Sequence, residues 1–592
     1  MQLKLIDWVV VAAYAVLSLA IGLRFARRAG RSLEQYFLSG RTAPWWLLGT
    51  SMVATTFSAD TPNLVTDLVR TGGVSTNWLW WAFLITGMLT VFFYAKLWRR
   101  SGALTDINFY ELRYSGAPAR FLRGFRAVYL GVFFNIVIMA TVTLAAIKIA
   151  GALLGLDPYT TVALAALLTM VYATTSGLWG VLVTDLFQFV LAMIGSVAAA
   201  YYAVTLPEVG GLSGLVTHPN VAGKLSLLPD FSDPAQVMTV LLIPLAVQWW
   251  STWYPGSEPG GGGYIAQRML AARTEKDAMA ATLWFNIAHY ALRPWPWILV
   301  ALASLIVYPS LSDLAKRFPY VDPSFMGNDL AYSAMLLFVP HGVLGLIVAS
   351  LAAAYMSTIS THLNWGASYV VDDVYKRFLK PNATDAHYVA VGRAVTVALT
   401  LLACLVALAL HNAMQAFQIL LQIGAGTGLI FLLRWYWWRI NAWGEIAAMA
   451  ISFLVALYFQ FVHVRLLGFP PLHPSLALVA GVLITTLGWL LVTFATPPTD
   501  RVTLQAFYDK IRPAAFGWRG GVDIGEVEAA PGSVSAGLIA WFLGCVAVYA
   551  SLFATGYLIY GRYGFGFACL AVAVGAGFGL YRTVPKIGFW TS

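Results

Sequence analysis

Four hydroxyl side chains stand within five residues in Ser357-Thr358-Ile359-Ser360-Thr361, inside an apolar stretch from about Leu344 to Tyr369. On a helix, Ala354, Ser357, Thr358 and Thr361 fall at i, i+3, i+4 and i+7 and share one face, with Ser360 beside them. A row of hydroxyl oxygens at the depth of a membrane core can replace water around a small hard cation such as sodium. The structural alternative is that each hydroxyl bonds back to the carbonyl one turn earlier.

A second polar run lies in Thr50-Ser51-Met52-Val53-Ala54-Thr55-Thr56-Phe57-Ser58-Ala59-Asp60-Thr61-Pro62. Pro62 has no backbone N–H and would clash with the carbonyl of Ser58, so a helix here breaks near Phe57–Thr61. Carbonyls freed by the break are tolerated in lipid only against protein or a cavity, and they are good sodium ligands. A plain proline kink is the competing reading. A third chemical feature is Asp185 in Thr184-Asp185-Leu186-Phe187-Gln188. A charge within a span marks an ion path or a partner, unless it snorkels to the interface. Asp60 could bind an ion, touch substrate or cap the half-helix after the break. Arg293, with His289 one turn earlier, could hold a substrate carboxylate or pair with Glu258 or Asp60.

The elements that position these groups are membrane helices. The chain has 592 residues, 59% hydrophobic and 10% charged, against about 25% charged in a soluble domain. Apolar runs of roughly 20 residues recur throughout. They predict an all-α polytopic membrane protein of about fifteen spans, near 5–25, 45–70, 75–98, 123–154, 158–176, 178–205, 236–254, 278–308, 340–370, 387–411, 414–436, 442–463, 474–496, 535–560 and 563–582. The first is expected to be retained rather than cleaved as a signal peptide.

The net charge of +10 sits in short loops such as Arg24 to Arg28, Lys96 to Arg100 and Arg120 to Arg126. That pattern fits cytoplasmic loops and excludes a nucleic-acid surface, and it predicts the N-terminus outside and the C-terminus in the cytoplasm. Arg434-Trp435-Tyr436-Trp437-Trp438-Arg439 reads as an interfacial aromatic belt. A short amphipathic helix around Val502–Ile511 is expected to lie on the membrane. The three cysteines lie in apolar segments and indicate no disulfide framework.

The seventh span is also interrupted, by Tyr254-Pro255-Gly256-Ser257-Glu258-Pro259 and the glycines Gly260 to Gly263. The broken spans are thus five apart. Matching interrupted segments in two halves point to an inverted-repeat transporter with a midplane site, and the odd spacing makes the halves enter from opposite sides. The expected divisions are an N-terminal extra helix and basic loop at 1–44, repeat one at 45–205, an extracellular loop at 206–235 and repeat two at 236–436. Additional helices at 437–496, a cytoplasmic loop at 497–534 and C-terminal helices at 535–592 complete the chain.

In this order, Tyr36 to Arg41, Pro44-Trp45-Trp46, Ser58-Ala59-Asp60, Gly177 to Val181, Thr184 to Gln188, Tyr264 to Arg268 and Met356-Ser357-Thr358 resemble the sodium:solute symporters, over roughly residues 5–440. The resemblance implies a five-plus-five inverted-repeat (LeuT-like) fold with one extra N-terminal and about four extra C-terminal helices. It implies a first sodium site from the carbonyls of Ala54, Phe57 and Ala354 and the hydroxyls of Ser357 and Thr358. A second sodium would use Asp185, Ser357, Ser360 and Thr361. Asp60, Thr61, Trp80, Tyr264, Arg293 and Gln422 are the substrate candidates.

The expected function is import of a small polar solute, a sugar or sugar acid, coupled to one or two sodium ions in the plasma (inner) membrane. The partners are then the solute and the lipid bilayer, with no nucleic acid and no obligate protein partner evident. A proton-coupled carrier is the nearest rival, through Asp60, Asp185 and His289; a symporter-like sensor is a further one. An intramembrane enzyme would need a carboxylate pair, a histidine cluster or an activated nucleophile, and the sequence offers none of these.

Overall fold

The computed structural model describes residues 3–29, 32–56, 58–251, 258–319, 321, 326–410, 421–524 and 534–587. The principal helices are α1 (Leu5–Ala29), α2 (Trp45–Thr56), α3 (Thr61–Gly72), α4 (Val74–Ser101), α5 (Gly116–Leu154), α6 (Pro158–Met170), α7 (Gly177–Val204), α8 (Pro234–Trp250) and α9 (Gly263–Leu270). The second half of the chain continues with α10 (Glu275–Val307), α11 (Val343–Leu379), α12 (Asp385–Ala409), α13 (Gly428–Leu433), α14 (Ala442–Val462), α15 (Pro474–Ala495), α16 (Arg501–Ile511), α17 (Val534–Ile559) and α18 (Tyr563–Thr583). Among the described residues, eleven helices are long and apolar enough to cross a membrane. The expected spans beyond these are the interrupted or shorter ones, α2 with α3, α6, α8 and α13. Part of the expected span 414–436 lies outside the described residues.

The predicted break is present. α2 ends at Thr56 and α3 begins at Thr61, with Pro62 in its first turn. Phe57, expected to lend a carbonyl there, lies outside the described residues. The Asp60 side chain does not cap α3; it accepts from the Ser58 hydroxyl instead. α10 is irregular where Pro294 and Pro296 remove donors, and a wide turn at Ala288–Leu292 absorbs the mismatch. At Gly177 the backbone turns between α6 and α7 with φ 56°, a region that favours glycine.

The site helices are locked together by buried polar contacts. The Asp7 carboxylate of α1 accepts from the backbone N–H groups of Gly342 (2.6 Å) and Gly345 (2.9 Å) at the start of α11. A carboxylate at a helix N-terminus satisfies otherwise orphaned donors and complements the helix dipole. Gly345 permits the approach, because a Cβ there would collide with the Asp7 backbone. About two turns further along α1, Tyr14 accepts from Gln188 of α7 (2.7 Å) and touches the Met356 sulfur of α11 (3.4 Å). α2 packs against α7, α10 and α11.

At the end of the molecule that carries Arg434–Arg439 and α16 two expectations are corrected. The Arg434–Arg439 segment is not a lipid-facing belt: Trp435 and Arg434 are buried, and Trp435 packs on Trp98 and Phe109. Arg434 also pairs with Glu445 at 3.4 Å. The amphipathic helix exists as α16, but Leu504, Phe507, Tyr508 and Ile511 are buried against the protein rather than laid on lipid. Phe507 stacks on Trp518, and the Arg113 guanidinium lies over both rings. An amphipathic face specifies an apolar partner without saying whether that partner is lipid or protein.

Candidate functional site

The hydroxyl face of α11 meets the end of α2 at the helix break. Thr358 Oγ1 donates to the carbonyl of Thr55 at 2.7 Å, in the last turn of α2. Thr55 Oγ1 and Thr361 Oγ1 are 3.0 Å apart. Ala54, Ala354, Ser357 and Thr358 are all buried. The set is made of hard neutral oxygens, with no cluster of His, Cys, Asp and Glu among the described residues to suit a transition metal. That chemistry fits a weakly held alkali cation rather than a divalent one.

Asp185 does not snorkel. Its carboxylate is fully buried on α7 and accepts from Ser357 Oγ at 2.6 Å and from Ser51 Oγ at 2.5 Å. Three helices are therefore joined at one carboxylate: α7, α11 and α2. Ser360 follows the structural alternative, donating to the Ser357 carbonyl of its own helix at 3.2 Å.

Arg268, on α9 just after the second interruption, completes this cluster. Its Nη2 donates to Thr361 Oγ1 at 2.7 Å, and both Nε and Nη2 reach Ser51 Oγ at 3.1 Å. The guanidinium stands 3.8 Å from the Asp185 carboxylate, and both side chains are fully buried. A protein cation thus already sits among the oxygens expected to hold a second sodium. Gln267, the preceding residue, donates to Asn364 of α11 at 2.9 Å and accepts from Arg268 through its Oε1 at 2.8 Å. Sequence reasoning gave Arg268 no part in a site because a basic stretch follows it, with Arg273 and Lys276. The signal available was its place in the apolar Tyr264-Ile265-Ala266-Gln267-Arg268-Met269-Leu270. Ser51 and Thr55 were visible as hydroxyls of α2 but had no distinguishing spacing.

None of the substrate candidates is among the residues that line a cavity between α4, α10 and the segment before α9. Its walls include Thr56, Phe83, Thr86, Glu258, Asn286 and Tyr290. Trp80 stands behind this wall, stacked on Tyr290 with centroids 5.9 Å apart, and its indole N–H goes to Asn77. The Tyr264 hydroxyl lies 2.8 Å from Thr56 Oγ1. Arg293 is buried, meets the His289 ring, reaches the Val53 carbonyl at 3.4 Å and lies over Trp297. Glu258, offered as its partner, pairs with Arg126 instead. Asp60 and Thr61 are half-buried at the start of α3. Gln422 faces away from this group, donating to the Ala477 carbonyl of α15 at 3.0 Å.

Comparison with known proteins adds four findings. The profile described as "Sodium:solute symporter family" matches residues 36–452. The sodium/glucose cotransporter of Vibrio parahaemolyticus is 28% identical over 485 residues, covering 78% of this chain and 86% of that protein. The sodium/sialic acid symporter of Proteus mirabilis (strain HI4320) is 24% identical, covering 76% and 89%. Among solved structures, a substrate-bound outward-open sodium-coupled sialic acid symporter superposes with TM-score 0.68 at 21% identity, over 84% of this chain and 99% of that one. The fold is therefore the five-plus-five inverted-repeat transporter fold, with α1 before it and α14, α15, α17 and α18 after it.

Proposed function

Since the chain belongs to the sodium:solute symporter family, we propose that it imports a small polar solute, a sugar or sugar acid, by alternating access driven by sodium. The observation that carries this reading is the Thr358 hydroxyl aimed at a carbonyl beside the α2–α3 break. Sodium enters as cargo, held first by the carbonyls of Ala54, Phe57 and Ala354 and the hydroxyls of Ser357 and Thr358. To take the ion, Thr358 must turn its hydroxyl proton away from Thr55. The ion then replaces that hydrogen bond as the tie between α2 and α11. Binding favours the arrangement in which the broken helix is seated and the adjoining substrate cavity is formed. Only this difference in affinity between states couples ion to solute.

A second sodium at Asp185, Ser357, Ser360 and Thr361 shares its oxygens with Arg268. For it to bind, the guanidinium must release Thr361, so the count of ions is linked to the position of Arg268. The count sets the power of the carrier. Moving one charge through 100 mV yields about 2.3 kcal/mol, and a tenfold sodium gradient adds about 1.4 kcal/mol. For a neutral solute one ion supports about 500-fold accumulation and two support about 10⁵-fold.

Arginine-rich loops support an orientation with the N-terminus outside and the C-terminus in the cytoplasm, in the plasma (inner) membrane. The test is a thermal-shift screen of glucose, galactose, myo-inositol, glucuronate, N-acetylneuraminate and proline, each in sodium and in potassium buffer. Stabilisation by a sugar or sugar acid in sodium but not potassium is expected. Stabilisation that is indifferent to the cation contradicts the reading.

A further inference from the structure

Three polar atoms on the cavity wall have no hydrogen-bond partner among the described residues: Thr86 Oγ1, Asn286 Oδ1 and Glu258 Oε2. Their residues are 7%, 0% and 4% exposed. Leaving such atoms bare costs about 1–3 kcal/mol each. The other threonines of this wall do not share the defect. Thr56, Thr90 and Thr282 each bond back to a carbonyl of their own helix at 2.8, 2.9 and 2.8 Å. Thr86 alone of the four makes no such bond among the described residues.

Each atom is also held in place. Asn286 gives its Nδ2 to the Thr282 carbonyl at 2.8 Å, which leaves Oδ1 as the atom without a partner. That oxygen lies against Gly87, where a Cβ would collide with it. Glu258 spends Oε1 on the buried Arg126, whose guanidinium stacks over Phe431, so Oε2 remains as an acceptor on a neutralised pair. Phe83, Phe285 and Tyr290 supply apolar faces to the same cavity.

We infer that this cavity takes a neutral solute rich in hydroxyl donors, a sugar or cyclitol, and rejects one bearing a carboxylate. Two of the three open atoms can only accept, and the third accepts or donates. A hydroxyl offers each a proton, whereas a carboxylate has none to give and meets the Glu258 oxygen with like charge. A cationic amine is disfavoured because Arg126 already balances Glu258. The inference rests on the transport reading and selects among the solutes that reading allows.

The experiment compares matched probes in proteoliposomes of the full chain under an inward sodium gradient: radiolabelled glucose against glucuronate, with galactose, myo-inositol and N-acetylneuraminate beside them. Uptake of at least one neutral probe, with at least tenfold preference for glucose over glucuronate, is expected. Thr86→Val is expected to raise the half-saturating concentration of the transported neutral probe about 3- to 10-fold. Half-activating sodium should not move, and Thr86→Ser should restore the wild-type value. Glu258→Gln should narrow the discrimination against glucuronate. If that variant does not fold, the Thr86 pair still decides. Uptake of glucuronate or N-acetylneuraminate at or above the neutral probes, or a Thr86→Val variant with unchanged saturation, overturns the inference while leaving sodium-coupled transport standing. Sodium-independent behaviour toward every probe instead overturns the reading beneath it.

Discussion

Replacing Thr358 by valine keeps the volume of a buried side chain and removes one oxygen. Without sodium, the wild-type hydroxyl donates to the Thr55 carbonyl at 2.7 Å, a bond whose net worth is about 1 kcal/mol. With sodium bound, the same oxygen faces a full charge, and interactions of that kind are worth about 1.5–3 kcal/mol. Valine loses both, so the two losses partly cancel in the binding equilibrium. The difference is about 0.5–2 kcal/mol, which corresponds to about a 2- to 30-fold weaker sodium affinity. The assay is solute uptake into proteoliposomes at fixed membrane potential as internal and external sodium are varied. Thr358→Val should raise the half-activating sodium concentration by that factor, Thr358→Ala should do the same, and Thr358→Ser should leave it near wild type. Equal sodium activation in all four proteins would refute the assignment of this hydroxyl to the ion.

Asp185→Asn should lower the sodium-to-solute ratio, read in vesicles as an about 500-fold fall in accumulation for the loss of one ion; an unchanged ratio discards the second site. The same substitution strands the buried Arg268, at a cost of about 3–5 kcal/mol, so its melting temperature should drop and the Asp185→Asn/Arg268→Gln double variant should recover part of the loss. Gly345→Ala should destabilise by about 1–3 kcal/mol, because the new methyl meets the α1 backbone at Asp7; thermal melting in detergent measures it. In the loop after α4, burial, reinforced by the Glu258 charge, pushes the Asp106 carboxyl up to about 6 from an ordinary 3.8. The native state then keeps a proton that the unfolded chain has lost between pH 3.8 and about 6, so stability contributed by this group falls as pH rises through that window and is level above it. Asp106→Asn should remove that part of the slope in melting temperature against pH.

Much of the site was legible because its signals are local. Pro62 dictates a break whatever surrounds it, and the i, i+3, i+4, i+7 spacing puts Ala354, Ser357, Thr358 and Thr361 on one face of any helix. Asp185 stood out because a carboxylate within an apolar run is costly unless it is partnered. What stayed hidden depends on contacts between distant segments. Arg268 is 83 residues from Asp185 in the chain and adjoins a basic loop, so its burial could not be read from its neighbours. The misreadings of Arg434–Arg439 and of α16 share one cause. Aromatic and amphipathic patterns report that a surface will be covered, and here the cover is the protein itself: Phe507 and Trp518 cover Arg113, and Trp435 packs on Phe507. The substrate candidates were the least legible, since Gln422 turns toward α15 while Thr86 and Asn286, unremarked in sequence, line the cavity.

The most direct measurement is uptake of the neutral and acidic sugar probes into proteoliposomes under an imposed sodium gradient at equal pH, beside an imposed proton gradient of the same size in potassium alone. The oxygens gathered where α2 meets α11 predict solute accumulation in the first condition and none in the second. Accumulation driven by protons without sodium would contradict the account at its root.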